Sequence, residues 1–79
     1  MYYTYILQSQ KDKTYYIGAT DNLKERMKRH NSGNVSYTSA RRPYKLVWYC
    51  AFMDKKKAYD FEKYLKTGSG NAFFKKRFV

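Results

Sequence analysis

Residues 2–18 read YYTYILQSQKDKTYYIG. The first seven, YYTYILQ, are rich in aromatic and β-branched side chains, which suit a pleated strand. SQKDK at 9–13 is polar and prone to turn. TYYIG at 14–18 returns to strand-forming types and ends on Gly18. Two strands joined by so short a loop pair antiparallel. A sheet therefore starts the fold, and the rest of the chain must supply what covers it.

The next stretch predicts a helix. Thr20, Asp21 and Asn22 are all N-cap types, and Asn22 with Glu25 approximates a capping box. The helix runs to about Asn31 and stops before Ser32-Gly33. Leu23 and Met27 mark its buried stripe, and Arg26 and His30 share a face beside that stripe. Residues 32–44 read as a polar loop containing paired arginines and the one proline. KLVWYCAFM at 45–53 is an apolar run of strand length, expected as the central, best-buried strand. Asp54 caps a second long helix, about 55–67, closed by Gly68. Its stripe is Ala58, Phe61 and Leu65, with Glu62 inside it. Ser69 or Gly70 opens a last short helix in which Ala72, Phe73 and Phe74 pack while Lys75, Lys76 and Arg77 stay in water. The order β-β-α-β-α-α gives one small α/β domain over residues 1–79, with helices packed on a three-stranded antiparallel sheet.

A chain of 79 residues buries a thin core. Ten Tyr, five Phe and one Trp compensate, because each brings a large apolar area. The formal charge is +11, from 17 Lys and Arg against 6 Asp and Glu. Such an excess repels itself in a compact state and calls for a polyanionic partner, nucleic acid first. A membrane surface would need a basic helix with a wide apolar face, and these stripes are narrow. No run is long enough to span a bilayer, and the N-terminus lacks signal-peptide character. Cys50 has no partner for an internal disulfide. It reads as a reduced core residue, in keeping with a cytoplasmic location.

Several residues carry two readings each. Glu62 on an apolar stripe needs a partner. Lys66 at i+4 could be that partner, or Glu62 could be a metal ligand. Arg26 could be a solvated helix charge or a planar fork for phosphate. His30 could be a surface residue or a base. Tyr5 and Tyr16 could be cross-strand packing or acid–base groups whose pKa neighbouring cations lower. Gly18 could be a turn residue or a point of close backbone approach.

Taken together these residues closely resemble the GIY-YIG nuclease family. The second half of its signature stands intact as Tyr16-Ile17-Gly18. The first half aligns with Tyr3-Thr4-Tyr5, where only the tyrosine is kept. The family's helix arginine falls on Arg26, its frequent histidine on His30, its metal-binding glutamate on Glu62, and a late asparagine on Asn71. HNSG at 30–33, ARRPYKLV at 40–47 and EKYLKTGSGNAF at 62–73 look like the small stand-alone bacterial members. The chain is also similar to the N-terminal nuclease domain of the excinuclease C subunit, a larger member of that family.

The resemblance implies a metal-dependent endonuclease with its site on the sheet face. Glu62 would hold one Mg²⁺ or Mn²⁺, and Tyr5 would be the general base with His30 relaying its proton. Tyr16 would orient water or phosphate, and Arg26 would stabilise the transition state. Gly18, Arg41, Arg42, Lys45, Asn71, Lys75 and Lys76 are the expected nucleic-acid contacts. DNA is expected before RNA, with a monomer acting on one strand and a separate targeting protein as a candidate partner. The alternative is a nucleic-acid-binding module of the same fold that does not cut.

Overall fold

A computed structural model describes residues 1–79, apart from the side chain of Ser36. Strand β1 (Tyr2–Ser9) and strand β2 (Tyr15–Thr20) form the antiparallel hairpin, with Tyr5 opposite Gly18 and Ile6 opposite Ile17. Strand β2 runs two residues past Gly18, so this glycine lies inside a strand rather than at its end. Strand β3 (Tyr44–Phe52) pairs antiparallel with the other side of β1. The strand order is β2-β1-β3.

The apolar run at 45–53 is therefore an edge strand, and the expectation of a central strand there is overturned. β1 takes that place, with Thr4, Tyr5, Ile6 and Leu7 all fully buried. A register shift between Ile6 and Leu7 skips Val47, since Ile6 faces Trp48 while Leu7 faces Leu46. One extra residue in a strand disturbs the alternation of its side chains. Val47 and Trp48 consequently pack into the same cluster, and a continuous apolar run arises without burial on both faces. Cys50 is half-buried on this strand rather than a core residue, and burial pushes its thiol up.

The two sheet faces carry separate cores. On one face Tyr5, Leu7 and Tyr44 pack with Tyr16, Leu23, Met27 and Leu46. Leu23 and Met27 belong to helix α1 (Leu23–Ser32), which Asn22 caps by accepting from the Glu25 amide at 3.1 Å. Gly33 ends α1 at φ 86°, a left-handed conformation that side chains resist. A short helix α2 (Ser36–Ser39) follows in the stretch expected to be loop.

On the other face Ile6, Ile17, Leu65 and Phe74 form the cluster, flanked by Tyr15, Val47, Trp48, Phe61 and Phe78. Each fully buried side chain of this size contributes about 1.5–3 kcal/mol. Helices α3 (Lys55–Leu65) and α4 (Gly68–Arg77) supply the cover. Asp54 caps α3 as its sequence implies, accepting from the Lys56 amide at 2.9 Å. Thr67 caps α4 by accepting from the Gly70 amide at 3.1 Å, so Gly68 lies within α4. Of the three apolar residues expected to pack there, Phe74 is buried while Ala72 and Phe73 are exposed. Phe78 takes up the packing instead, stacked on Trp48 with ring centres 4.1 Å apart. The fully buried Thr4 donates to the Ala58 carbonyl at 2.6 Å and ties the central strand to α3. No helix among the described residues is long and apolar enough to cross a membrane.

Candidate active site

The Tyr5 side chain leaves β1 on the α1 face and lies across Gly18. A Cβ on Gly18 would sit 2.5 Å from Tyr5 Cζ, nearer than van der Waals contact permits. Gly18 is itself buried, and the close approach it allows is that of the Tyr5 ring.

The ring's path brings the Tyr5 hydroxyl to 3.0 Å from His30 Nε2. His30 is no surface residue: it is buried at 1 % exposure, near the C-terminal end of α1. Its other ring nitrogen, Nδ1, is 2.9 Å from Thr38 Oγ1 on α2. Thr38 in turn donates to the Val35 carbonyl at 3.3 Å. One assignment of protons satisfies the whole chain. The Thr38 hydroxyl proton is committed to Val35, so its oxygen accepts from His30 Nδ1–H. His30 Nε2 is then the acceptor, and the Tyr5 hydroxyl donates to it.

The electrostatics agree with that assignment. Burial first, then Arg26 and Arg29, brings the His30 pKa down to about 4, so the ring is neutral near pH 7. Burial pushes the Tyr5 phenol up to about 12. The charge of Tyr16 adds to the rise, and Arg26 opposes it by charge and as a hydrogen-bond donor. The expectation that nearby cations lower this pKa is overturned, because desolvation of a fully buried phenol outweighs one guanidinium. A small further rise comes from the Glu62 carboxylate. Tyr5, Tyr16, Arg26, His30 and Glu62 thus all bear on one hydroxyl group.

Tyr16 is half-buried and packs edge-on against His30 with ring centres 4.8 Å apart. It also leans on Tyr37, at 5.6 Å. Tyr15, Tyr16, Ile17, Tyr37, Lys66 and Asn71 line a cleft of ≈520 Å³ along β2. Because β2 is an edge strand, residues of both layers meet there: Tyr37 from the α1–α2 side, Lys66 and Asn71 from the α3–α4 side. Glu62 reaches this edge through Lys66, whose Nζ lies 2.7 Å from Glu62 Oε2. The ordinary i,i+4 pair is therefore formed, with Glu62 only 18 % exposed.

No group of three His, Cys, Asp or Glu side chains converges among the described residues. One carboxylate suits Mg²⁺ or Mn²⁺, which take their remaining ligands from water and substrate phosphate. It does not suit a resident tetrahedral zinc. The donor set fits an ion that arrives with substrate.

The expected nucleic-acid contacts divide. Asn71 lines the cleft. Arg41 lies 5.4 Å over the Tyr37 ring and 3.3 Å from Asp12, which anchors it beside the cleft. Arg42, Lys45, Lys75 and Lys76 are exposed and outside its lining. Sequence reasoning missed Tyr37, Thr38 and the role of Asn31. The Asn31 amide clamps the start of β3, accepting from the Tyr44 amide at 2.7 Å and donating to its carbonyl at 3.3 Å. HNSG at 30–33 held the signal: a relay histidine, a clamp, then the left-handed glycine.

A basic α/β domain with a tyrosine–histidine pair beneath one edge of its sheet is the class these observations define. The GIY-YIG catalytic domain model matches residues 1–77, and the chain belongs to the GIY-YIG family. It is 45 % identical over 72 residues to a UPF0213 protein of Clostridium perfringens, covering 90 % of this chain and 76 % of that one. A UPF0213 protein of Streptococcus pneumoniae is 42 % identical over 65 residues, covering 81 % of this chain and 65 % of that one. The solution structure of a UPF0213 protein from Bacillus halodurans superposes with a TM-score of 0.58 at 32 % identity, over 96 % of this chain and 84 % of that one.

Proposed function

We propose that this domain is a metal-dependent endonuclease hydrolysing phosphodiester bonds of nucleic acid, DNA before RNA. The observation that carries the reading is the Tyr5–His30 hydrogen bond with the Tyr16 ring packed on His30, beside an open cleft that Tyr16 lines and that the Glu62–Lys66 pair borders. A strand's phosphate enters at Tyr16, Lys66 and Asn71. Arg26 faces the charge that grows on the phosphate oxygens. Glu62 would hold one Mg²⁺ or Mn²⁺, which supplies further positive charge when bound. Lys66 neutralises the carboxylate until then.

This reading moves Tyr5 from the part of general base. A fully buried phenol that donates to His30 does not meet the attacking water directly. Tyr16 lines the cleft and is the phenol that positions that water. Tyr5 and His30 form the layer behind it, holding Arg26 and the Tyr16 ring in place. A cytoplasmic monomer acting on one strand, directed by a separate targeting protein, belongs to the same proposal.

A second reading is a nucleic-acid-binding module that does not cut. The neutral Tyr5 and the closed Glu62–Lys66 pair favour it.

The experiment incubates purified protein with labelled single-stranded, duplex and branched DNA and with RNA. Each is run with Mg²⁺, with Mn²⁺ and with chelator, beside Glu62→Ala and Arg26→Ala. Cleavage that needs metal and is lost in both variants supports the nuclease. Cleavage as fast in Glu62→Ala as in wild type would sink this mechanism. Salt-sensitive binding without cleavage, unchanged by chelator, selects the second reading.

A further inference from the structure

A second cavity lies on the α1 face of the sheet, apart from the Glu62–Lys66 pair. It measures ≈680 Å³ and is lined by Tyr3, Tyr49, Leu23, Met27, Lys24 and Lys28 among others. That volume lies within the range of ligand-binding clefts, about 300–1,000 Å³. Its floor is apolar because the stripe of α1 is only half covered by the thin core. Tyr49 on the edge strand is 53 % exposed. Its ring neighbour Tyr3 meets it at 61° with centres 6.1 Å apart, so no ring stacks flat upon it. Lys24 and Lys28 are both exposed, one helical turn apart, and neither forms an ion pair among the described residues. Like charges at that spacing repel until an anion lies between them.

An exposed aromatic face over an apolar floor, with two unpaired ammonium groups on one wall, matches the parts of a nucleotide strand: flat bases joined by phosphates. We propose that this groove binds an unpaired stretch of nucleic acid, one base stacked on Tyr49 and the adjoining phosphates held by Lys24 and Lys28. Asp21 stands in the lining next to the N-terminus of α1. It repels phosphate there and directs the strand's backbone toward the lysine wall.

The proposal deepens the nuclease reading and rests on it for the substrate class, a single-stranded or locally unpaired strand. Tyr3 lies two residues before Tyr5 on the same side of β1, about 7 Å along the strand. The groove opens along β3 and the cleft along β2, the two edges of the sheet with β1 between them, so a strand seated in the groove must cross α1 or the sheet end to reach the cleft. Duplex bases are stacked against one another and offer Tyr49 no face, so a duplex engages the lysines alone.

The test measures binding by fluorescence anisotropy in chelator, where nothing is cut. The probes are a labelled single-stranded DNA 12-mer, the RNA 12-mer of the same sequence and the DNA duplex. The proteins are wild type, Tyr49→Ala, Tyr49→Phe and Lys28→Glu. Thermal melting of each variant checks the fold, which an exposed edge-strand residue leaves intact. Tyr49→Ala is expected to weaken single-strand binding by roughly 5- to 150-fold, the loss of one base–aromatic stack. Tyr49→Phe keeps the affinity, Lys28→Glu lowers it, and Tyr49→Ala leaves duplex binding unchanged. The DNA and RNA arms show which strand is preferred. Equal affinities of wild type and Tyr49→Ala for both single strands, or equal losses on single strand and duplex, overturn the proposal. Because the assay needs neither metal nor cleavage, its failure leaves the nuclease reading standing, and an inactive nuclease leaves the groove testable.

Discussion

The Tyr5 ring lies across Gly18, its register partner on the neighbouring strand, in space that a single methyl group would fill. Tyr5 has no freedom to retreat, since it is fully buried and its hydroxyl is held by His30. Gly18→Ala is therefore expected to destabilise the domain by about 1–3 kcal/mol, the cost of overpacking a filled core. The atoms nearest the added methyl are the Tyr5 hydroxyl and Cζ. Gly18→Ala combined with Tyr5→Phe should lose less than the sum of the two single changes. Urea unfolding of the four proteins gives the coupling, and strict additivity refutes the steric account.

The buried His30 makes a statement about pH. Its pKa falls from 6.5 in the unfolded chain to about 4 in the folded one. Between those values the unfolded chain binds the extra proton, so stability falls as pH drops from about 6.5 toward 4 and is complete above 6.5. The urea midpoint should be lower at pH 5.5 than at pH 7.5. His30→Gln should flatten that difference while lowering stability at both pH values. An unchanged slope in the variant would mean that the dependence comes from another group.

Thr38 holds the far end of the same relay. Thr38→Val keeps the shape but leaves His30 Nδ1–H without its acceptor, a loss of about 1–3 kcal/mol for a buried donor. Thr38→Ser restores an acceptor and should recover most of it. The ring ¹⁵N shifts of His30 give an independent readout. Wild type and Thr38→Ser should carry the proton on Nδ1, and Thr38→Val should shift it toward Nε2. If all three spectra agree, Thr38 does not set the tautomer.

The hairpin, the helix caps at Asn22 and Asp54 and the antiparallel sheet follow from local chemistry, and these were legible in the sequence. Strand order was not. KLVWYCAFM reads as a strand buried on both faces, because Val47 and Trp48 stand together. The skipped residue in its pairing with β1 turns both to one side. The site was legible as a set of residue types and hidden as a geometry. Nothing in the spacing of Tyr5 and His30, 25 residues apart, shows that the phenol is sealed under the sheet and driven up rather than down in pKa. SYTS at 36–39 looks like polar loop, yet its fold into α2 delivers Thr38 to the histidine.

Asn31 offers a test confined to one side chain. Its amide both donates to and accepts from the Tyr44 backbone, fixing the end of α1 to the start of β3. Asn31→Asp keeps the acceptor for the Tyr44 amide but sets an oxygen against the Tyr44 carbonyl. Asn31→Ala removes both bonds, each worth about 0.5–1.5 kcal/mol. Both variants should lower the urea midpoint, and protection of the Tyr44 amide from hydrogen exchange should fall in Asn31→Ala while Asn31→Asp retains part of it. Full protection in both variants would show that β3 is held by its pairing with β1 alone.

Arg26 separates charge from shape. If the proposed nuclease is active, Arg26→Ala removes the guanidinium facing the phosphate, and the cleavage rate should fall by about 10²–10³-fold, as for loss of one preorganised donor. Arg26→Lys keeps the positive charge but loses the planar fork that serves the Tyr5 hydroxyl and, in the proposed mechanism, a phosphate oxygen as well. The lysine variant should therefore cleave nearly as slowly as the alanine variant while binding a duplex with the salt dependence of wild type, since the count of cationic contacts is unchanged. Recovery of the wild-type rate in Arg26→Lys would mean that a point charge suffices. The bridge between Tyr5 and the phosphate would then have no part in the reaction.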